Sequence, residues 1–438
     1  MCAKLQNKCT FTEINLFYNY LMRLRITLFA LLTSAYALGQ GADNRATYVV
    51  DGAVEKEQYR SHVPLESLGQ GANVVYVLNG VKLNLTKVRL NKTSGTVNDA
   101  THRETGLNAA ILVEGGSKVT MEQCQVNSHT AMADGLTAKG QDTRVDVTEG
   151  EWQSSRNGSV LMNAVDGAVI KAVSPKVYTY SNQSPVFHTG VGGTLEVTAA
   201  VGESSGQASP LFYSSGDLVA QGCRMESSKW SIGNVDGGKL TLNKNVLTTK
   251  GFAGFLVYGN KYSEREGLLE LNKNQISVSE GPLFYVTNTT SEISVTNNKI
   301  SLKGNDLMIV CADDWGQEGS NGGHITLSVQ KQALSGLITV DSISSADIQL
   351  LKGGRIKGSM NPEENRCAKI HVFMGEGSTW TSRGDSYITS IVFNAPLKKG
   401  LKQLKGKHTI YYDPSDPANA YLEGKEYKTG GGWLRPLK

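Results

Sequence analysis

The sequence is poor in proline, in charged residues and in long apolar runs. Proline accounts for 10 of the 438 residues and charged residues for 19%, below the average shares of roughly 5% and 25%. A small net charge with 39% hydrophobic residues argues against a disordered chain, and no leucine-rich heptads support a coiled coil. The longest apolar run, residues 26–38, falls short of the roughly 20 residues that span a bilayer.

Residues 22–39 have the three parts of a secretory signal peptide. Two arginines precede the apolar run, and Ala37-Leu38-Gly39 forms a small-x-small cleavage pattern. We therefore expect a start at Met22, cleavage near Gly39 and a secreted or cell-surface protein, with residues 1–21 as an upstream extension. No transmembrane segment is expected in the mature chain. A single membrane anchor is the alternative.

The apparent basicity of the chain comes from this leader. The whole sequence has 44 basic and 40 acidic side chains, a formal charge of +4. Residues 1–39 hold four of the basic and one of the acidic side chains, which leaves 40 against 39, or +1. Neither this charge nor any motif supports nucleic-acid binding. Four cysteines remain after the leader, and the sequence leaves the states of Cys311 and Cys367 open.

From about residue 71 to residue 395 the sequence repeats itself with a period near 24 residues. Each unit has a short apolar run, a strand in which apolar residues alternate, a bend and a third short strand. A strand-turn-strand unit that recurs every 20–30 residues is typical of a solenoid, in which each coil covers the edge of its neighbour. The apolar runs lie at residues 110–113, 160–162, 185–187, 210–212, 254–257, 282–284 and 307–310.

One position in the bend recurs with small or polar residues. Asn245, Asn274 and Asn298 occupy it in three units, where we expect asparagine to adopt a left-handed conformation and to hydrogen-bond with the next coil. Cys124 and Cys223 occupy it four coils apart, which separates them by about 19 Å. Since a disulfide needs Cα atoms within about 7 Å, these two cysteines are predicted not to bond with each other.

The fold class that follows is all-β: a single-stranded parallel β-helix of about eleven coils, roughly 50 Å long at about 4.8 Å per coil. Residues 71–395 form the β-helix in this interpretation. Residues 40–70 form an N-terminal cap, with a short capping helix expected over residues 54–70, and residues 396–438 form a C-terminal cap over the last coil. The lysine run at residues 398–407 is interpreted as a solvated face of this cap, with binding to an anionic surface as the alternative.

Several strings, such as Ser209-Pro-Leu-Phe-Tyr-Ser-Ser-Gly216 and Gly430-Gly-Gly-Trp-Leu-Arg-Pro436, are long enough to be specific. They are spread over nearly the whole chain after the leader, at residues 106–113, 209–216, 281–290, 315–323, 340–345, 378–380, 384–387, 419–425 and 430–436. These strings resemble a family of exported bacterial right-handed parallel β-helix proteins. The resemblance implies a right-handed, pectate-lyase-like superhelix of the kind used in adhesins and autotransporter passengers. It implies no reaction, because it brings no assigned catalytic residues.

Four short strings resemble the catalytic motifs of polygalacturonases in the same order: Asn288-Thr-Thr290, Asp313-Asp314, Gly322-Gly-His324 and Arg355-Ile-Lys357. In those enzymes carboxylates act as acid and base, while an Arg/Lys pair holds the sugar acid. The match is incomplete, since the first string lacks its aspartate and the histidine string has the wrong order. Ten residues separate Asp314 from His324, under half a coil, so the repeat does not stack them. We therefore assign no catalytic residue.

No metal or cofactor site is predicted. Neither an acidic column nor an Asp-x-Asp-x-Asp-Gly loop is present for calcium, and the seven histidines have no metal-ligand spacing. P-loop, dinucleotide-binding and Gly-x-Ser-x-Gly strings do not occur in a strand-to-helix context.

The function that we expect is that of an exported, non-enzymatic β-helix with a rigid surface for adhesion or glycan contact. Its partner would be a polysaccharide or a glycan of a host or cell surface. The alternative is a divergent polysaccharide hydrolase or lyase. An exposed stripe of tyrosine or tryptophan favours glycan binding, while carboxylates that converge within about 5–10 Å favour hydrolysis.

Overall fold

The computed structural model describes residues 46–52, 57–59, 64–67, 71–95, 97, 101–260, 266–364 and 368–438. The leader lies outside these residues, so the signal peptide stays a prediction. The described chain is an all-β parallel solenoid of about 15 turns. Its right-handed winding stays a prediction from the resemblance.

Three long parallel sheets, named A, B and C, form the sides of the solenoid. The 12 strands of sheet A are Ala46–Asp51, Asn73–Leu78, Ile111–Val113, Leu136–Lys139, Met162–Val165, Phe187–Thr189, Phe212–Ser214, Gly233–Asp236, Phe255–Tyr258, Phe284–Thr287, Asp306–Val310 and Leu337–Val340. The 14 strands of sheet B are Glu57–Tyr59, Lys82–Thr86, Lys118–Glu122, Arg144–Thr148, Val169–Val173, Thr194–Thr198, Asp217–Gln221, Lys239–Asn243, Gly267–Asn272, Thr289–Thr296, Gly323–Gln330, Ser345–Leu350, Lys369–Met374 and Ser390–Phe393. The 10 strands of sheet C are Leu65–Glu66, Arg89–Lys92, Gln125–Ser128, Glu151–Ser154, Lys176–Thr179, Val201–Ser204, Arg224–Ser227, Val246–Thr249, Gln275–Val278 and Lys299–Leu302.

Two smaller sheets, D and E, continue the solenoid in its last coils. Sheet D consists of Ala333–Ser335, Arg355–Lys357, Thr379–Thr381 and Leu404–Lys405. Sheet E consists of Ser386–Ile388, Thr409–Tyr412, Trp433–Pro436 and Tyr427–Lys428. The last two strands of sheet E pair antiparallel, and this pair ends the parallel stacking.

In the residues that the structure describes, helical structure is confined to short segments. The helix α1 is His102–Thr105 and the helix α2 is Leu397–Gly400, and 3₁₀ turns follow at Leu401–Gln403 and Pro417–Leu422. Within the described ranges, no helix has the length and apolar character that crossing a membrane requires.

Alternating apolar residues build the interior. In the strand Lys118–Glu122, Val119 and Met121 are buried while the residues between them are exposed, as strand geometry requires when one face meets the core. Aromatic rings stack from coil to coil, and the ring centre of Phe187 lies 5.8 Å from that of Phe212. Each inward position therefore lies above its equivalent in the next coil, and neighbouring coils bury each other's apolar surface.

Asparagines stack at the corner between sheets B and C. The Oδ1 atom of Asn274 accepts hydrogen bonds from the backbone N–H and the side-chain amide of Asn245, at 2.9 and 3.0 Å. Asn298 binds Asn274 in the same way, at 2.8 and 2.9 Å. The predicted column and its bonds between coils are confirmed. The predicted left-handed conformation is wrong, because the positive φ belongs to the preceding residue, such as Lys273 at 56°.

Serines form a second ladder at the corner between sheets C and A. The hydroxyl of Ser184 accepts from the backbone N–H of Ser159 at 3.2 Å, and that of Ser209 accepts from the N–H of Ser184 at 2.9 Å. The Ser209 hydroxyl also donates to the carbonyl of Ser181, one coil earlier, at 2.8 Å. The ladder satisfies buried backbone groups where the chain turns and no strand partner is in reach.

The coil count of eleven is too low, because strand pairing extends beyond residues 71–395 at both ends. The spacing between equivalent positions is also irregular. It ranges from 19 residues between His371 and Ser390 to 36 residues between Val75 and Ile111. Strand pairing also begins before residue 71, since Ala46–Asp51 pairs with Asn73–Leu78 and Leu65–Glu66 pairs with Arg89–Lys92. It continues past residue 395, where Leu404–Lys405 and Thr409–Tyr412 add further strands.

The structure also tests two smaller predictions, on the capping helix and on the cysteines. The capping helix expected over residues 54–70 is wrong where that segment is described, because Glu57–Tyr59 and Leu65–Glu66 are strands. Cys124 and Cys223 are free, which confirms that they do not bond with each other, and both are buried. Cys311 is free and partly exposed, and Cys367 lies outside the described residues.

Replacement of Asn274 by alanine should lower the free energy of unfolding by about 2–4 kcal/mol. The variant leaves the buried N–H of Asn245 and the carbonyl of Leu242 without their partners, at a cost of about 1–3 kcal/mol per group. Urea denaturation followed by circular dichroism measures the change. The matched control is Asn243→Ala on the outer face of sheet B, which should stay within about 0.5 kcal/mol of the wild type. Equal losses in the two variants would contradict a supporting role of the ladder.

Candidate functional site

A polar groove of about 420 Å³ crosses the outer face of sheet C near its N-terminal end. It spans the strands Arg89–Lys92, Gln125–Ser128 and Glu151–Ser154, which lie on three successive coils. We call it the sheet C groove. Eight residues line it: Arg89, Asn91, Thr93, Gln125, Asn127, His129, Glu151 and Gln153.

Strand periodicity places these side chains on one face. The second and fourth residues of each strand point inwards, as Val126 and Ser128 do, so the first and third residues point to solvent. The parallel register aligns the outward residues in two columns: Arg89-Gln125-Glu151 and Asn91-Asn127-Gln153. The repeat of the coil itself therefore builds the groove, without a dedicated loop.

Hydrogen bonds hold the side chains of the groove in fixed orientations. Arg89 Nε donates to Gln125 Oε1 at 2.9 Å, and Asn127 Nδ2 donates to Asn91 Oδ1 at 3.0 Å. Each amide has more donor and acceptor positions than these bonds use, so the columns still present polar groups to solvent. A ligand meets groups that are already positioned, which lowers the entropic cost of binding.

Two tyrosines extend the groove onto the next coil. Tyr178 is the register partner of Gln153, and its ring is parallel to that of Tyr180 within 2°, with ring centres 6.3 Å apart. The Tyr180 side chain is 46% exposed. Partial burial, and then the nearby carboxylate of Glu203, raise the pKa of Tyr180. Its hydroxyl therefore stays protonated and available as a donor.

Charges of both signs surround the groove. Arg89 and Lys176 carry positive charge on its rim, and Glu66, Glu151 and Glu203 carry negative charge. An amide-rich surface beside aromatic rings suits a ligand with many hydroxyl groups. In the described part of the chain, no group of three or more His, Cys, Asp or Glu side chains could hold a metal ion.

Sheet A carries a different polar cluster, which is buried on its outer face beside α1. Asp134 accepts hydrogen bonds from the side chains of Thr137 and Asn163 and from the backbone of Val160, at 2.9–3.2 Å. His102 Nε2 lies 4.0 Å from the same carboxylate. Burial raises the pKa of Asp134, although the nearby His102 opposes the rise. The cluster ties α1 to the sheet below it.

A second buried group lies further along sheet A. Asp236 accepts from the hydroxyl of Tyr213 at 2.7 Å and from the backbone N–H of Asn260 at 2.9 Å. The hydroxyl of Tyr258 lies 2.9 Å from that of Tyr213. Burial raises the pKa of Asp236 and of both tyrosines. Carboxylate and phenols are one another's partners, so this group joins neighbouring coils.

His188 lies between these two groups. Its Nδ1 atom is 2.8 Å from Asn163 Oδ1, and its ring stacks on Tyr213 with ring centres 4.9 Å apart. Burial lowers the pKa of His188 to about 3, and the nearby positive charge of Arg103 adds to the shift. The imidazole is therefore neutral at physiological pH.

Three of the four polygalacturonase-like strings lie close together, and the fourth does not. Thr289 and Thr290 pair with Gly323 and His324 on neighbouring strands of sheet B, and the Asn321 side chain donates to the backbone carbonyl of Asp313. Asp313 lies in the loop between sheets A and B, where its Oδ2 atom accepts from the hydroxyl of Tyr285 at 2.5 Å. His324 lies at the start of the sheet B strand Gly323–Gln330. Arg355 lies on sheet D, beyond the far end of the sheet B strands, whose eight residues span roughly 25 Å. The absence of a catalytic role for these residues stays a prediction.

Sequence reasoning missed the sheet C groove. Its residues are common polar types at alternate strand positions, and no motif marks them. The signal is the recurrence of amides at the outward positions of consecutive coils, such as Asn91 and Asn127. That recurrence becomes visible when the outward positions are aligned as carefully as the inward, apolar ones.

Comparison with known proteins adds no relative to this picture: no protein-family model, no curated protein and no solved structure matches the chain. The parallel β-solenoid itself follows from the strand pairing.

His188 should make the protein less stable in acid. The native pKa of about 3 lies below the unfolded value of about 6.5. Between these values the unfolded chain binds a proton that the native ring does not, so stability falls as the pH decreases. From pH 7 to pH 4.5 this contribution amounts to about 2–3 kcal/mol. Urea denaturation at both pH values measures the free energy of unfolding. Between pH 7 and pH 4.5 it should fall less in His188→Gln than in the wild type, by about 2–3 kcal/mol. The same pH dependence in both proteins would contradict a buried, neutral ring.

Proposed function

We propose that this protein is exported and binds a polysaccharide or cell-surface glycan in the sheet C groove without cleaving it. The observation that carries the proposal is the row of hydrogen-bonded amides next to Tyr178 and Tyr180. Sugar hydroxyls need partners that both donate and accept, and amide side chains do both. A tyrosine adds an apolar ring face and a polar hydroxyl in one side chain.

The dimensions of this surface fit a chain ligand. Groove and tyrosines together extend over four successive coils, from Arg89–Lys92 to Lys176–Thr179, which is about 14 Å along the solenoid axis. Every residue that lines the groove is at least partly exposed. A polymer could therefore lie across the columns and continue beyond them on either side.

The predicted leader supports a role outside the cell. A secreted or surface-attached protein meets polysaccharides directly, and a stacked solenoid keeps its binding groups at fixed spacing. Cys124 and Cys223 are free, so the coils that carry them depend on strand pairing rather than on a bond between these cysteines.

A polysaccharide hydrolase or lyase is the alternative, and the groove gives it less support. Glycosidic hydrolysis normally uses two carboxyl groups roughly 5–10 Å apart. Glu151 is the one carboxylate among the residues that line the sheet C groove. Asp313 lies outside the groove, in the loop between sheets A and B.

Glycan binding should depend on the tyrosine pair. The purified protein is first screened against plant, host and microbial polysaccharides, and titration calorimetry then measures the affinity for those that bind. Joint replacement of Tyr178 and Tyr180 by alanine should weaken binding at least about tenfold, since aromatic contacts are frequent hot spots.

The matched control replaces Tyr387 and Tyr411, a stacked pair near the C-terminus with ring centres 4.9 Å apart. This double alanine variant should bind as the wild type does. If the variant at Tyr178 and Tyr180 retained full affinity, the sheet C groove would not be the binding site.

The enzymatic alternative has its own test. The protein is incubated with the same polysaccharides, and the release of reducing or unsaturated ends is measured over time. We expect no release from polysaccharides that bind. Product formation that is lost in the double variant Asp313→Asn, Asp314→Asn would identify a hydrolase or lyase and overturn the non-enzymatic proposal.

A further inference from the structure

One side of the solenoid is interrupted between two successive coils. Sheet C ends with the strand Lys299–Leu302, and sheet D begins with Ala333–Ser335 on the next coil, yet these two strands do not pair. The other two sides continue without a break. Thr289–Thr296 pairs with Gly323–Gln330 in sheet B, and sheet A pairs across the same step.

A difference in chain length explains the interruption. Seven residues, 299–305, connect the corner at Asn298 to sheet A, while in the next coil four residues, 333–336, make the same connection. The two segments are tied at both ends. Asn298 N–H donates to Gln332 Oε1 at 2.6 Å, and Leu337 N–H donates to the carbonyl of Asn305 at 2.6 Å. Between these ties the longer segment bows away from the shorter one.

The opening forms a cleft of about 670 Å³ that is lined by both apolar and polar residues. Ile300 and Leu302 occupy inward positions of sheet C but are only partly buried. Their equivalents one coil earlier, Ile276 and Val278, are each 1% exposed. Leu334 of sheet D lines the opposite side of the same cleft. The cleft therefore exposes apolar surface that every neighbouring coil covers.

The cleft also exposes a β-strand edge. Lys299 and Lys303 direct their backbone N–H groups to the preceding coil, where they bind the carbonyls of Asn274 and Val278 at 2.8 and 3.0 Å. Backbone groups alternate in direction along a parallel strand. Those of Ile300 therefore point the other way, into the cleft. Unpaired edges of this kind accept an additional strand.

The charges at the rim are all of one sign. Lys303, Arg355 and Lys357 line the cleft, and no carboxylate is among its lining residues. None of these three forms an ion pair within the described part of the chain. Lys405 extends the same column of sheet D by register, through Thr381. The lysine run near the C-terminus thus adds to the positive charge of this face.

We propose that this cleft binds an extended acidic peptide segment of a partner protein as an added β-strand. Backbone hydrogen bonds to the Lys299–Leu302 edge would supply affinity, and side-chain pockets would supply specificity, as in other complexes of this type. Alternate apolar side chains of the peptide cover Ile300 and Leu302. The acidic side chains between them face Lys303, Arg355 and Lys357. Five coils, about 24 Å, separate this cleft from the tyrosine end of the sheet C groove.

The probe is a fluorescein-labelled peptide with alternating residues, acetyl-Glu-Val-Glu-Val-Glu-Val-Glu-amide, and fluorescence anisotropy with the purified full chain measures binding. We expect the acidic peptide to bind, and its affinity to fall at least tenfold in the double variant Arg355→Glu, Lys357→Glu. The matched control, Lys82→Glu with Lys118→Glu, reverses two exposed charges on sheet B and should bind as the wild type does.

Two further measurements separate strand addition from simple charge attraction. A peptide in which every backbone amide of the Glu and Val residues is N-methylated keeps its charge but cannot donate backbone hydrogen bonds in either strand direction, and we expect it to bind at least tenfold more weakly. Hydrogen exchange should slow at Ile300 and Leu302 when the unmodified peptide is bound. Absence of binding, equal binding of the N-methylated peptide, or protection at another place in the chain would each overturn the proposal.

Discussion

The hydrogen bonding between parallel strands of successive coils is the constraint on which the rest of this structure depends. It fixes the rise per coil at about 4.8 Å and sets each residue above a defined partner, as Met162 lies above Phe187. A side chain that suits one coil then suits its neighbours, so columns form inside, at the corners and outside. The inward columns bury apolar residues, the corner columns satisfy backbone groups through Asn274 or Ser184, and the outward columns present polar groups in rows.

Sequence reasoning reached the parts of the fold that repeat and stopped where the repeat becomes irregular. The alternation around Val119 and Met121 predicted strands and their inward faces, and the spacing of the asparagines predicted their column. Coil number could not be derived from one average period over residues 71–395, because the length of single coils varies and strand pairing extends beyond both bounds. At the corner between sheets B and C the residue with the left-handed conformation is Lys273 rather than Asn274. The bend lies just before Asn274, because the Asn274 side chain must point to the next coil. The sheet C groove lacked any motif and required the outward register.

Polar residues serve two purposes on different sheets. On sheet A, Asp134, His188 and Asp236 are buried and bind neighbouring side chains and backbone groups, and the cost of their burial appears as shifted pKa values. On sheet C, Asn91 and Asn127 bond to each other and remain open to solvent. A buried polar cluster gives specificity to the packing of coils. An exposed and ordered row of polar side chains gives specificity to the binding of a ligand. The two kinds of polar group differ in whether they are shielded from solvent.

The shorter connection in the coil after Asn298 also creates a mechanically weak step in the solenoid. In a solenoid the total stability is approximately a sum of contributions from each coil and from each contact between neighbours. At this step two strand ladders connect the coils, whereas three connect the coils before it, so the contact is weaker than in the preceding stack. Under force along the axis this step would open before the steps of that stack, and the side-chain amide of Gln332, which bridges the two coils, would resist the opening. The coils before Asn298 would then separate from those after it before they unravel themselves.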